Sequence, residues 1–486
     1  MNTKNLNHIE TESGHLDWLE QKKAAIDLIS AAGRLRYSNS VELVFFRRSL
    51  TDRNVSEILE LHKYAEEVRE KKFSVLATAK VAEELLDLKL PPSKLDIGKL
   101  TAGWLESGMN AGELPAFLRK QLAGVLNSDA NGYTNPRDVI LYGFGRIGRL
   151  AARELFRQEG MGQQLRLRAI VIRDDVKTTL AKRASLLRHD SVHGRFPGIV
   201  EADLDSDSLV VNGQSIKVIS APGPDQADYK QIGILDALVI DNTGAWKDRE
   251  GLSLHLKSAG VSKVVLTAPA KGVPNIVYGV NHDGFSDDEK ILSAASCTTN
   301  AIVPVLYVIE KEFGIEKGHI ESVHAYTNDQ NLLDNYHKKP RRGRSAAINM
   351  VISATGAGEA VSRVLPQLQG KLTANAVRVP TPNGSLAMIH LSVNRKTSVQ
   401  EVNGIMKKWA LGDLNRQIKY EMDEELVSSD IIGMSCCSIF DSKATIVSDD
   451  GKSVVLYSWY DNEYGYTRQV IRLAKHMMNV RRLRYY

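Results

Sequence analysis

An apolar run, DVILYG (138–143), ends on a glycine and passes straight into GFGRIGR. This sets Gly143, Gly145 and Gly148 in G-x-G-x-x-G spacing ahead of the helical pattern RIGRLAARELFRQ (146–158). Many tight turns match that spacing by chance. Between a strand and a helix it constrains the chain far more. The first glycine makes the turn, the second lets backbone approach a pyrophosphate, and the third packs helix on strand. The free N–H groups and partial positive charge of the helix start then face the phosphates. A purely structural turn remains the other reading of the same glycines. The next apolar run, LRLRAIVIRDD (165–175), leaves Asp174 and Asp175 at a strand end, where an acid holds ribose hydroxyls. They lie beyond the usual ~20 residues after the loop, with QEGMGQQ (158–164) as the longer connection. An acid here favours NAD over NADP, and the adjacent Arg173 softens that preference.

The strand–turn–helix rhythm continues through DALVIDNTG (236–244), helical REGLSLHLKSAG and SKVVLTAPA (262–270). Alternation of this kind builds a parallel sheet. The expected fold class is therefore α/β. A Rossmann-type dinucleotide-binding domain covers 137–296, completed by a C-terminal helix over 466–486. From about 320 to 460 the strands are longer and closer, as in GSLAMIHLSVNR (384–395) and KSVVLYSWYDNE (452–463), with one helical stretch, SVQEVNGIMKKWAL. This reads as a separate α+β domain, 297–465. Ahead of both, residues 1–130 read as a mainly helical extension, with amphipathic patterns at 15–32, 55–70, 74–88, 95–107 and 113–124. NSDANGYTNPRD (127–138), rich in turn-forming residues, reads as a linker.

Composition excludes several classes. The chain has 486 residues, 43% hydrophobic and 25% charged, with 63 basic and 58 acidic residues for a net charge of +5. That mild excess does not argue for nucleic acid, and the arginines of NVRRLRYY read as a solvated face on a terminal helix. The polar start has no secretory pattern, and no stretch reaches the ~18 apolar residues needed to cross a bilayer. The cysteines are Cys297, Cys436 and Cys437. An odd count with an adjacent pair is neither a disulfide framework nor zinc spacing, so no metal is expected and a reducing cytoplasm suits the chain.

Cys297, in AASCTTNAIVP, stands where an apolar helix starts, with Thr298, Thr299 and Asn300 as cap-like neighbours. A thiol at a helix N-terminus ionises more readily. A single cysteine reads equally well as a buried, inert one. His324, in SVHAYTNDQ, decides between them if the fold brings it to Cys297, since the pair then supplies nucleophile and general base.

In order, GFGRIGR, AASCTTNAIVP, SVHAYTNDQ, RRGRSAAINMVISATGAGEAV, VRVPTPNGS and SWYDNEYGY resemble the motifs of phosphorylating glyceraldehyde-3-phosphate dehydrogenases. The resemblance covers about 138 to 480. It implies that Cys297 attacks the aldehyde of glyceraldehyde 3-phosphate, that His324 takes the hydroxyl proton as hydride leaves for NAD, and that backbone N–H groups hold the oxyanion. It further implies that inorganic phosphate attacks the thioester, giving 1,3-bisphosphoglycerate. Thr327 and Arg378 match the substrate-phosphate position. Ser296, Thr298, Thr355 and Gly356 match the attacking-phosphate position, with Arg342 close to both. Asn462 matches the carboxamide-binding asparagine, with Tyr466 nearby, and Arg146, Ile147 and Thr267 match cofactor contacts. The resemblance also implies a homotetramer.

Three departures from the pattern stand out. Gly384 replaces the usual valine of PTPNVS, Pro222 stands where a basic adenine-side residue is common, and DNTGAW replaces a more usual STG. The rival readings are erythrose-4-phosphate dehydrogenase, with the same thiol and histidine, and a non-catalytic binding homologue.

Overall fold

The apolar runs become strands and the amphipathic stretches become helices. The computed structural model describes residues 3–128, 136–158, 164–286, 288–480 and 483–486, with side chains from residue 14 onward except at 354. Most of the 127–138 linker and of the loop at 158–164 lies outside the described residues. The chain divides into two compact units. One comprises Met1–Pro136, Arg157–Leu165 and Val480–Tyr486, the other Arg137–Phe156 and Arg166–Asn479.

In the first unit, helices Thr3–Asn39, Val55–Arg69, Val75–Leu86, Ile97–Ser107 and Leu114–Gln121 follow the expected amphipathic stretches. The unit also holds a four-stranded sheet, in the order Arg48–Ser49, Val41–Phe45, Ser93–Asp96 and Leu483–Tyr485. These strands were too short to show a period of two. The last of them corrects the expected terminal helix over 466–486. That helix ends at Met477, Asn479 turns left-handed (φ +52°), and Leu483–Tyr485 pairs in parallel with Ser93–Asp96. Arg484 thus sits on a strand, not on the solvated helix expected.

Asp96 ties this unit together. Its carboxylate accepts the N–H groups of Phe46 and Arg47, both at 2.8 Å, and of Lys99 at 3.2 Å. It thereby holds the left-handed hairpin turn at Phe46 and Arg47 (φ +44° and +66°) while capping Ile97–Ser107. Burial pushes its carboxyl above the usual range, and the three N–H groups oppose that.

In the second unit, one eight-stranded sheet runs Ile291–Ser293, Val261–Leu266, Ala237–Asp241, Arg137–Tyr142, Leu165–Ile172, Gln214–Ser220, Ser208–Val211 and Val200–Asp203. Its pairings from Ile291–Ser293 to Arg137–Tyr142 are parallel, and the last two are antiparallel. Arg137–Tyr142 is buried along nearly its whole length, as a strand covered on both faces must be. The other sheet is mixed. It runs Val351–Ala354, Leu372–Val379, Ile315–Ala325, Ser385–Val393, Ser453–Tyr460, Ser438–Asp441 and Ile418–Glu421. Helix Cys297–Phe313 is apolar nearly all round and packs into the core over this sheet, which puts its first residue at the sheet's active edge.

Candidate active site

Cys297, the expected nucleophile, is placed by strain and capping together. After Ile291–Ser293, Ala295 takes a left-handed backbone (φ +54°), a costly conformation for a residue with a Cβ. Tyr466 holds it there by donating its hydroxyl to the Ala295 carbonyl at 3.0 Å, and Asn300 Nδ2 donates to the carbonyls of Ala294 (2.8 Å) and Ser296 (2.9 Å). Ser296 caps the helix, its Oγ accepting Thr299 N–H at 3.0 Å. Cys297, the first helical residue, therefore has its Sγ 3.5 Å from His324 Nε2.

His324 comes from the end of Ile315–Ala325, where the parallel register sets it beside Arg378. Its Nδ1–H donates to the Ala325 carbonyl at 2.7 Å, which leaves the Nε2 lone pair toward Cys297. Arg378 Nη1 donates to that carbonyl at 3.0 Å and stands 2.9 Å from Nδ1. Burial, then the charges of Arg378 and Arg342, push the imidazole down to about 4, so it is neutral at pH 7. Burial pushes the Cys297 thiol up, outweighing Arg378 and the Thr298 hydroxyl and N–H that favour the thiolate. Burial thus opposes the ionisation expected from the helix start. The 3.5 Å approach puts the imidazole in place to take the thiol proton.

Tyr460, which the motif reading passed over, completes this cluster. Its buried hydroxyl lies 2.8 Å from Ser322 Oγ and 3.1 Å from Thr298 Oγ1, and its ring meets that of His324 edge-on. Ser385 was also missed. Its Oγ accepts Ala325 N–H at 3.1 Å and donates to Asn462 Oδ1 at 2.9 Å, linking the histidine strand to the asparagine. Both lie inside motifs quoted above, SWYDNEYGY and VRVPTPNGS, which is the one sequence signal that points to them.

The other anion-binding candidates lie on or just beyond the strands paired with the histidine strand and its neighbour. Arg378 keeps a buried Nε with no hydrogen-bond partner, a donor suited to an arriving oxyanion. Arg342 is committed to Asp329 and, through Nε (3.0 Å) and Nη2 (2.6 Å), to Ser353 Oγ. Thr327 is exposed just beyond the histidine strand. Thr355 follows Val351–Ala354, which pairs with the Arg378 strand, and Gly356 caps helix Ala357–Val364 with open space where a Cβ would stand.

The glycine loop divides its roles as the mechanism requires. Gly143 is left-handed (φ +90°), and a Cβ there would meet Thr243 Cγ2 at 2.8 Å. A Cβ at Gly148 would meet the Gly143 carbonyl at 2.4 Å, whereas Gly145 faces open space. That opening is what a pyrophosphate needs, so the residues fit a dinucleotide. The Arg146 guanidinium is bound by Glu463 and by Asp190 at 3.1 Å. Ile147 lies half-buried on the same first turn, and Thr267 Oγ1 donates to the Asp241 carbonyl at 3.0 Å. Asp175 is also engaged, its carboxylate capping helix Val176–Arg188 through Thr178 N–H at 2.9 Å. Asp174 pairs with Arg183. Gly384, the departure noted above, is left-handed (φ +88°), and a Cβ would meet the Ser428 carbonyl at 2.6 Å, so valine does not fit this turn. Among the described residues no group of three or more His, Cys, Asp or Glu could hold a metal ion, and no helix is long and apolar enough to cross a membrane.

Residues 137–249 match the family model of the glyceraldehyde 3-phosphate dehydrogenase NAD binding domain, and 296–462 match that family's C-terminal domain. A glyceraldehyde-3-phosphate dehydrogenase-like protein of Pseudomonas aeruginosa is 46% identical over 457 residues, 93% of this chain and 98% of the relative. The glyceraldehyde-3-phosphate dehydrogenase of Thermotoga maritima is 45% identical over 334 residues, 68% of this chain and 96% of its own length. That of Geobacillus stearothermophilus is 40% identical over 341 residues, 97% of its length and 70% of this chain. The chain therefore belongs to the glyceraldehyde-3-phosphate dehydrogenase family of NAD-dependent dehydrogenases.

Proposed function

We propose that this chain oxidises glyceraldehyde 3-phosphate and phosphorylates the product, with Cys297 as nucleophile and His324 as general base. The observation that carries the reading is the 3.5 Å approach of Cys297 Sγ to a neutral His324 Nε2, with the unpartnered Arg378 Nε beside them. Sγ gives its proton to Nε2 as it attacks the carbonyl carbon, and the proton passes on to the former carbonyl oxygen, forming a thiohemiacetal. N–H groups of Cys297 and Thr298, at the helix start, stabilise the negative oxygen during attack. His324 next takes the hydroxyl proton as the C–H electron pair leaves and a thioester forms on Sγ. NAD, when bound, supplies the acceptor for that pair. Asn462, fixed by Ser385, orients its carboxamide, and the Gly143–Gly148 loop cradles its pyrophosphate.

An inorganic phosphate oxygen then attacks the thioester carbon, the C–S bond breaks, and the thiolate recovers a proton from His324. Arg378 with Thr327 holds the substrate's phosphate. Ser296, Thr298, Thr355 and Gly356 hold the attacking one, with Arg342 between. Exposed apolar residues Leu332, Leu333, Tyr336, Ile348 and Met350 along one segment of the second unit support a homotetramer, since so large an apolar surface is usually covered. The three free cysteines suit a cytoplasmic setting. Initial velocities with glyceraldehyde 3-phosphate or erythrose 4-phosphate, with and without inorganic phosphate, test the reading. Turnover that requires phosphate and favours the triose supports it. A phosphate-independent rate, or preference for the tetrose, overturns it.

A further inference from the structure

The acid expected to select the ribose hydroxyls does not stand alone. The Leu165–Ile172 strand runs out into Arg173, Asp174 and Asp175, and Asp175 is spent as a helix cap. Asp174, exposed to 62%, is paired with Arg183, which reaches back from helix Val176–Arg188 and is itself only 16% exposed. Arg183 Nε also donates to Thr179 Oγ1 at 3.2 Å, so the guanidinium is held in place. Next to Asp174 in the chain, exposed Arg173 has its guanidinium 5.8 Å from the Trp246 ring, which packs on Tyr142. Its backbone is tied to the neighbouring strand by Ser220 Oγ, which donates to the Arg173 carbonyl at 3.4 Å. Pro222, just past that strand, supplies no cation of its own.

A free carboxylate at this place binds the 2′-hydroxyl of NAD and repels the 2′-phosphate of NADP, whereas a nearby arginine accommodates that phosphate. Here Arg183 pairs the acid and a second arginine, Arg173, precedes it in the chain. We propose that Arg183 and Arg173 form a 2′-phosphate subsite, so that the chain accepts NADP as well as NAD. Arg183 exchanges the Asp174 carboxylate for the phosphate, whose oxygens match its planar fork. The released Asp174 is exposed and rehydrates, so the exchange gives up little, as expected for a solvent-facing ion pair.

Equilibrium titration of the full-length protein with NADP and with NAD, followed by calorimetry, tests this. The unaltered chain is expected to bind NADP within about tenfold of NAD, with the NADP affinity falling more steeply as salt is raised. Arg183→Gln should weaken NADP by roughly tenfold or more and Arg173→Gln by less, while NAD changes by under about threefold. Arg183→Lys, which keeps the charge but not the fork, should fall between. NADP binding more than about a hundredfold weaker than NAD in the unaltered chain overturns the proposal. So does an equal loss of both cofactors in Arg183→Lys. The salt comparison on the unaltered chain stands even if a glutamine variant fails to fold: equal salt slopes for the two cofactors count against the subsite.

Discussion

Desolvation acts on both Cys297 and His324, favouring the uncharged form of each. Cys297 is partly exposed and faces Arg378, while Cys436 and Cys437 are buried and burial pushes the Cys437 thiol up further. Iodoacetamide should therefore label Cys297 first. Because its own thiol is raised, the rate should keep climbing about tenfold per pH unit through neutrality rather than levelling off. A plateau below pH 7 disproves the resting thiol. His324→Asn should slow the first turnover by roughly 10²–10⁴-fold, measured by stopped flow. The same change should flatten the pH dependence of stability. The folded imidazole titrates at about 4 against an ordinary value of 6.5, so the unfolded chain binds the proton first as pH falls. Its contribution is constant above pH 6.5 and is lost as pH drops from about 6.5 to 4, by ~3 kcal/mol, in denaturant titrations. Arg378→Ala should raise KM for glyceraldehyde 3-phosphate far more than for a non-phosphorylated aldehyde. Equal losses for both make the arginine structural.

Among the elements, the turn at Phe46 and Arg47 hangs on one carboxylate from another strand. Asp96→Ala leaves three N–H groups without their acceptor and frees two left-handed residues. Loss of at least ~2 kcal/mol from the first unit is expected, read as earlier unfolding in urea. The Cys297 helix is more robust, because its Ser296 cap is backed by Asn300 and Tyr466.

For the whole molecule, the first unit is built from both ends of the chain. Leu483 and Tyr485 pack against the core formed by residues 24 to 125. Deleting 480–486 should speed amide exchange in Ser93–Asp96, whose outer neighbour is removed, and leave turnover at saturating substrate within about threefold. The Pseudomonas aeruginosa relative matches 93% of this chain, so most of this unit is shared with it, while the Thermotoga maritima enzyme matches 68%. We propose that the unit serves assembly, partner binding or regulation. A large loss of turnover on deleting 480–486 would count against that reading.

The sequence by itself determined the dinucleotide loop, because Gly143, Gly145 and Gly148 act through backbone space within one strand–turn–helix, and local spacing records that. It also determined Cys297 as a helix-start residue, since capping is local. Only the tertiary structure decided what Cys297, His324 and Arg378 do to one another. The register of two strands and the depth of burial set their charges, and neither is written in a single segment. The same holds for Tyr460 and Ser385, whose hydroxyls find their partners only once the sheet places them. It holds above all for Leu483–Tyr485, a strand whose partner Ser93–Asp96 lies 390 residues earlier, so no local period could reveal the pairing.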